Sequence, residues 1–199
     1  MSRKYSHTTA DVLQWSDAIN LIAKLEKDEN YKMSLFISVS IFFGLRVSDT
    51  LSITWEQILN KDQTIKVDFE VIEKKTKKYR IIKINPELAK HILSCYQKMR
   101  PKSLQEFVFV SNKRSVYSVQ RINIILKEIR EKYKIEIKNF SCHSLRKCFG
   151  AELYRRGDKS EHMLLKLSMI FNHSSTQITR RYIGIQSADI SNMYDVLTF

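Results

Sequence analysis

The sequence predicts a mainly α-helical domain that carries one small antiparallel β-sheet, an α+β fold. Glycine and proline are scarce, with four and two in 199 residues, and this scarcity favours long helices. Apolar spacing is helical through most of the chain and changes to a strand-like alternation only within residues 64–84. Hydrophobic residues make up 43% of the sequence, enough for the core of one domain or of two small ones.

The first predicted helices follow a polar N-terminal segment, residues 1–14, that we expect to be flexible. Ser16 is the expected N-cap of the helix that begins there. A strongly apolar helix is predicted for residues 31–43 and a shorter helix for residues 47–53. The apolar stretch in this region is too short to span a bilayer and is interrupted by serines, so it predicts a buried helix.

A β-hairpin is predicted next. Residues 64–71 alternate apolar and charged side chains, as a half-buried strand does, and residues 80–84 form a second strand. The connecting residues 73–78 are rich in lysine. The pattern therefore places a basic tip on the hairpin.

Helical signals then persist to the end of the chain. Pro86 is expected to open the first of these helices, Gly157 to follow the third as a C′ glycine, and Ser160 to cap the fourth. The predicted helices cover residues 86–99, 118–133, 141–156, 160–171, 174–182 and 188–197.

These patterns predict a flexible segment (1–14), one folded domain (15–185) and a tail helix (186–199). Apolar residues of the tail recur at helical spacing and form a stripe. A helix this short is unstable alone, so the stripe must dock, either on its own domain or on a neighbouring subunit. The residues of this stripe are Ile190, Met193, Tyr194 and Leu197.

Charge and cysteine content restrict the function. The net charge of +13 implies an anionic partner, with nucleic acid before a membrane surface. Three cysteines without CxxC spacing suggest reduced thiols in the cytoplasm, and no signal peptide is visible. We therefore expect a cytoplasmic protein that binds nucleic acid and does not enter the membrane.

Two arginines, two histidines and a late tyrosine have the chemistry needed to attack a DNA phosphodiester. Tyr182 is the candidate nucleophile, and Arg46 and Arg146 can each donate two parallel hydrogen bonds to phosphate oxygens. His143 precedes Arg146 by three residues, so both share one face of a helix, and His143 can take the proton from the phenol. His173 is the expected hydrogen-bond donor to a phosphate oxygen.

Two other site chemistries are disfavoured. The sequence has no HExxH motif, no paired-aspartate motif and no zinc spacing of cysteines, so we expect neither a metal nor a cofactor. Cys142 and His143 are adjacent on a predicted helix and point about 100° apart, which argues against a Cys–His protease site.

The order of these motifs resembles the tyrosine recombinases, also called the phage integrase family, from about residue 15 to about residue 185. The motifs are Gly44-Leu45-Arg46 with Asp49, a lysine-bearing hairpin, His143-Ser144-Leu145-Arg146, and Asn172-His173-Ser174-Ser175 followed by Thr179 and Tyr182. The resemblance implies the tyrosine recombinase catalytic-domain (DNA breaking-rejoining) fold. It also implies cleavage through a 3′-phosphotyrosine intermediate, without ATP.

The resemblance assigns further residues. Lys75-Thr76 matches the hairpin lysine that protonates the leaving 5′ oxygen, although Lys74, Lys77 and Lys78 are rivals. Asp49 resembles a supporting acid that braces an arginine or histidine of the site. Asn172 stands where the family usually has glycine, and asparagine tolerates the left-handed backbone better than most residues.

The implied function is a site-specific recombinase or integrase, in a bacterial cell or its mobile element. The alternatives are a type IB topoisomerase or telomere resolvase with the same chemistry, and a catalytically silent DNA-binding module. The implied partner is double-stranded DNA. The protein is expected to bind it as a homotetramer and to be a monomer when it is not bound to DNA. The N-terminal helical domain that such enzymes normally carry is expected to be absent.

Overall fold

The structure is a computed structural model that describes residues 10–185. Within that range the chain forms nine helices and one two-stranded antiparallel sheet, which confirms the predicted mainly helical fold with one small sheet. The elements are α1 (Trp15–Lys27), α2 (Tyr31–Phe43), α3 (Val47–Thr50), α4 (Trp55–Ile58), β1 (Asp68–Ile72), β2 (Tyr79–Lys83), α5 (Pro86–Met99), α6 (Val119–Lys132), α7 (Cys142–Arg156), α8 (Glu161–Phe171) and α9 (Thr176–Tyr182).

Helix α2 is the centre of the fold. It is apolar on all sides, as a helix with no solvent face must be, and it packs against α1, α5 and α7. Two of its buried serine hydroxyls are satisfied within the helix, since Ser38 and Ser40 donate to carbonyls one turn earlier, at 3.0 and 2.7 Å. The helix ends at Gly44, which adopts a left-handed φ of 58°.

The two strands pair from Asp68 opposite Lys83 to Ile72 opposite Tyr79. One face is buried, and on it the ring of Phe69 stacks on that of Phe43 with centroids 5.0 Å apart. This packing sets the hairpin against the C-terminal end of α2, where the chain turns toward the first arginine motif.

Strand β1 begins four residues later than predicted, because residues 60–64 form a turn. The Asp62 carboxylate accepts hydrogen bonds from the backbone N–H and hydroxyl of Thr64, at 3.1 and 2.7 Å. Ile65 forms only an isolated bridge, with Leu59. The alternation of apolar and charged side chains begins at residue 64, but the backbone there belongs to the turn, so the strand starts only at Asp68.

Three details of the helix ends differ from the sequence predictions. The N-cap of α1 is Gln14 and not Ser16. Helix α3 ends at Thr50, and the separate four-residue α4 is too short to show a helical period. Gly157 does follow α7, but with an extended backbone (φ −75°) and not as a left-handed C′ residue; a Cβ there would lie 2.5 Å from Met163 Cε.

Residues 10–13 are packed, which differs from the expectation of a flexible segment for this part of the chain. Leu13 is buried. Asp11 donates its N–H to the carbonyl of Asn139 at 3.2 Å and accepts the N–H of Asn139 on Oδ2 at 2.8 Å. The predicted tail helix lies outside the described residues.

A second apolar cluster joins α7, α8 and α9. Leu164, Leu167, Phe171 and Ile183 are its buried members. The cluster brings the end of α9 back to the middle of α7, so the late tyrosine lies near the second arginine. No helix in residues 10–185 combines the length and the apolarity required to cross a membrane.

Candidate active site

One cavity of about 480 Å³ collects all six side chains that the sequence proposed as catalytic. They come from the α2–α3 junction, the hairpin, α7, the α8–α9 turn and α9, so the site forms only when these distant segments fold together. Within the described chain no carboxylate lines this cavity. The six are Arg46, Lys75, His143, Arg146, His173 and Tyr182.

Arg46 lies directly between α2 and α3. The left-handed Gly44 stops α2, and a Cβ at this glycine would lie 2.3 Å from the Phe149 ring. Arg46 then caps α3 in an extended conformation. Its Nη1 donates to Glu73 Oε2 at 2.6 Å and its Nη2 to the Phe171 carbonyl at 3.2 Å.

Arg146 is almost fully buried on α7. Its Nη1 donates to the Gly44 carbonyl at 2.6 Å, and its Nη2 to the Phe171 carbonyl at 3.3 Å. Burial lowers the pKa of the guanidinium to about 10, which leaves it charged at neutral pH. Arg46 and Arg146 thus donate to the same carbonyl oxygen, and these two hydrogen bonds hold the two guanidinium groups side by side.

Glu73, the first residue of the hairpin turn after β1, is a supporting residue that the sequence analysis missed. Its buried carboxylate accepts from Arg46 at 2.6 Å and from Arg80 and Thr76 at 2.8 Å each. Burial acts to raise the pKa of this carboxyl, but the three hydrogen bonds outweigh it and lower the pKa to about 2. Glu73 is therefore ionised and ties the hairpin to Arg46.

Asp49 supports the site differently from the expectation. Its Oδ1 accepts the backbone N–H of Lys74 at 2.8 Å, whereas its buried Oδ2 has no hydrogen-bond partner among the described residues. The carboxylate thus braces the backbone of the hairpin tip, and not an arginine or a histidine. It holds the residue that immediately precedes Lys75.

The hairpin lysines differ in where they lie. Among the described lysines, Lys75 lines the cavity. Lys78 instead donates to Asn172 Oδ1, which connects the hairpin to the α8–α9 turn. Asn172 ends α8 with φ 57° and ψ 49°, so asparagine supplies the left-handed turn here, as the sequence analysis anticipated.

The two histidines have lowered pKa values. The His143 side chain reaches solvent from the first turn of α7, yet the surrounding protein partly desolvates it, and this desolvation, followed by the charges of Arg146 and Lys147, lowers its pKa below 6.5. Burial, then Arg146 and Arg46, lowers the pKa of His173 in the same way. Both imidazoles are therefore predominantly neutral at neutral pH.

His173 is fixed in place. Its Nδ1 shares a hydrogen bond of 3.1 Å with the Thr179 hydroxyl, and its ring packs on that of Tyr182 with centroids 5.1 Å apart. The remaining ring nitrogen, Nε2, makes no hydrogen bond within the described residues, so it is free to meet a substrate.

Tyr182 is the last residue of α9, and its ring packs edge-on against Phe171 at 5.1 Å. Burial raises the pKa of the phenol, while Arg146 and Arg46 oppose that shift. The phenol is therefore neutral at neutral pH, and attack on phosphorus requires a proton acceptor nearby. The neutral His143 lies in the same cavity.

Cys142 also lines the cavity, but burial raises the pKa of its thiol to about 12. A thiol that remains protonated is a poor nucleophile, which agrees with the argument against a Cys–His protease.

Another cluster lies away from this cavity. Ligand atoms of Glu26, His91 and Cys95 come within 4.8 Å of one another. Glu26 at 3.2 Å and the Ser34 hydroxyl at 3.1 Å already engage the two nitrogens of His91, so hydrogen bonding accounts for this arrangement.

Comparison with known proteins agrees with the geometry. Residues 12–188 match the model of the phage integrase family. The chain belongs to the phage integrase family. It is 30% identical to the probable integrase/recombinase YoeC of Bacillus subtilis over 186 residues, which is 89% of this chain and 94% of that protein. The class of enzyme is therefore a DNA-cleaving and rejoining recombinase.

Solved structures of recombinases share the fold. A crystal structure of the XerA recombinase matches 96% of this chain and 67% of its own with a TM-score of 0.70 at 22% identity. The XerH site-specific recombinase bound to its palindromic difH substrate matches 98% of this chain and 55% of its own, with a TM-score of 0.67 at 16% identity. The chain thus spans only part of these recombinases.

Proposed function

We propose that the protein is a site-specific DNA recombinase whose Tyr182 forms a 3′-phosphotyrosine intermediate. The observation that carries the proposal is the shared Phe171 carbonyl, which places two guanidinium groups side by side in the cavity that Tyr182 lines. Paired guanidiniums suit a phosphodiester, because its negative charge increases as the phosphorane forms.

The cleavage step balances with residues of this cavity. Tyr182 Oη attacks phosphorus and its proton passes to His143, which the lowered pKa leaves neutral. The bond from phosphorus to the 5′ oxygen breaks, and Lys75 supplies the proton that the leaving oxygen needs. His173 donates to a phosphate oxygen when its Nε2 carries the proton. Rejoining is the reverse, with a 5′ hydroxyl as the nucleophile.

Double-stranded DNA is the proposed partner, bound by a homotetramer that dissociates to monomers when free. The net charge of +13 supports a partner that carries many negative charges, as DNA does. XerH, which shares the fold, was solved on a DNA substrate. We further propose that the protein works in the cytoplasm, where thiols stay reduced, since its described cysteines are all free thiols.

A nicked suicide substrate tests the proposal. Cleavage near the nick releases a short strand, so the enzyme cannot rejoin the DNA and a covalent adduct accumulates on a denaturing gel. The wild-type protein should form the adduct and Tyr182→Phe should not, because only the phenolic oxygen is lost. Tyr154→Phe is the matched control, since Tyr154 lies on α7 and bonds to Lys159 outside the cavity. An adduct with Tyr182→Phe would contradict the proposal.

A further inference from the structure

Lys147 follows Arg146 on α7, and its ammonium lies near the ring of Tyr182, the proposed nucleophile. Its residue is only 9% exposed, so it does not present its charge to a DNA surface. Its Nζ donates to the Ala10 carbonyl at 2.6 Å and lies 5.4 Å from the centroid of the Tyr182 ring. The ammonium therefore links the N-terminal segment to the face of the nucleophile's ring.

Two further contacts anchor the same segment, both directly after Ala10. Asp11 exchanges two hydrogen bonds with Asn139, in the loop that precedes α7. Val12 packs on the backbone directly after α9, where a Cβ at Gly184 would lie 3.0 Å from Val12 Cγ2. Residues 10–13 thus form a strap over α7 and the end of α9.

We propose that Lys147 is a positioning residue that couples this strap to Tyr182, an inference that rests on the proposed role of Tyr182 as nucleophile. Phe171 and His173 pack on the Tyr182 ring edge-on, and the ammonium holds it from a further direction. The ammonium in turn is held by a backbone carbonyl of the strap. A strap that shifts therefore moves the cation and, with it, the phenol.

The coupling bears on rate and not on DNA affinity. An attacking oxygen must lie close to phosphorus and in line with the leaving oxygen, and a small displacement of the nucleophile lowers the rate of reaction. A displacement of residues 10–13 would thus change the cleavage rate, even when its cause does not contact the cavity.

Lys147→Met tests the inference, because methionine keeps an unbranched stem and removes the ammonium. Lys147→Arg keeps a cation that can bond to the carbonyl and lie over the ring. Asp11→Ala loosens the strap from the loop before α7. Lys166→Met, on the exposed face of α8, is the control for loss of one positive charge. The measurements are DNA affinity and the single-turnover rate of adduct formation at saturating suicide substrate, below the melting temperature of every variant.

We expect Lys147→Met and Asp11→Ala each to slow adduct formation by roughly tenfold at saturating DNA, with affinity within about twofold of the wild type. Lys147→Arg should recover most of the rate, and Lys166→Met should cleave at the wild-type rate. The double variant should be no slower than the slower single variant, because both changes break one link.

Three results would overturn the inference. Unchanged rates in Lys147→Met would remove the positioning role, and multiplied losses in the double variant would mean that the strap and Lys147 act separately. A loss confined to DNA affinity would make Lys147 an ordinary binding cation. Failure of the proposed function appears differently, as an adduct that persists in Tyr182→Phe.

Discussion

At the residue scale, the two arginines of the cavity repel each other across the carbonyl that they share. The charge of Arg46 is one of the influences that lower the pKa of Arg146, whereas the charge of Glu73 acts in the opposite direction. Glu73 also bonds to Arg80, so a single carboxylate faces two guanidiniums beside the hairpin turn. The group is short of negative charge, and a phosphate in the cavity would supply it.

Lys75→Ala should slow cleavage of ordinary DNA far more than cleavage of a substrate with sulfur at the 5′-bridging position, because a thiolate leaves without a proton. The measurement is the adduct-formation rate on both substrates. Lys77→Ala, also at the hairpin tip, serves as the control and should change the two rates equally. Equal losses on both substrates in Lys75→Ala would remove Lys75 from the role of general acid.

The lowered pKa of His143 predicts a pH profile. An acceptor must be neutral, so the adduct-formation rate should be constant at neutral pH and should fall as pH drops through a midpoint below 6.5. In His143→Gln the rate should be low and should lose this dependence. A midpoint that survives unchanged in His143→Gln would assign the titration to another group, with His173 the first to examine.

At the element scale, the hairpin is attached to the rest of the site by side chains and not by its sheet alone. Asp49 holds its tip by the Lys74 N–H, Glu73 bonds to Arg46, and Lys78 reaches Asn172 across the cavity. A proton donor on a two-stranded hairpin would otherwise be poorly positioned, since two strands are marginally stable by themselves.

Glu73→Gln should destabilise the protein by about 2 to 3 kcal/mol at neutral pH, because it removes a buried, ionised carboxylate from between two partly buried guanidiniums. The pKa of Glu73 is depressed from 4.5 to about 2, so its contribution is complete above pH 4.5 and is lost as pH falls toward 2. Denaturant unfolding at several pH values measures the difference between variant and wild type.

The exposed Glu87→Gln is the matched control and should change stability little at any pH, since its ion pair with Lys90 lies in solvent. A Glu73→Gln effect that stays constant from neutral pH to about pH 2 would show that the loss is one of packing and not of charge.

Local signals predicted some elements to the residue. Helices α2 and α5 have the predicted bounds, because Asn30 caps α2, Gly44 stops it, and Pro86 begins α5. The order of the motifs likewise indicated six site residues, and their side chains line one cavity. What the sequence could not indicate were contacts between distant residues: Glu73 bonds to Arg46 across 27 residues, and Lys147 bonds to Ala10 across 137.

At the scale of the whole molecule, the excess of positive charge predicts steep salt dependence of DNA binding. Each phosphate contact releases counterions, so four or more contacts should lower affinity on the order of a hundredfold between about 50 and 200 mM salt. Fluorescence anisotropy with a labelled duplex measures this over a series of salt concentrations. A plot of log affinity against log salt that stays flat would mean that the +13 charge serves another partner.

The proposed function requires Tyr182 to become covalently attached to DNA. The most direct measurement is mass spectrometry of proteolytic peptides from the suicide-substrate adduct, after nuclease has trimmed the DNA to a short remnant. We expect a nucleotide joined through its 3′ phosphate to the peptide that contains Tyr182, and no such peptide from Tyr182→Phe. A remnant on Cys142, on another tyrosine, or joined through a 5′ phosphate would rule out a 3′-phosphotyrosine at Tyr182.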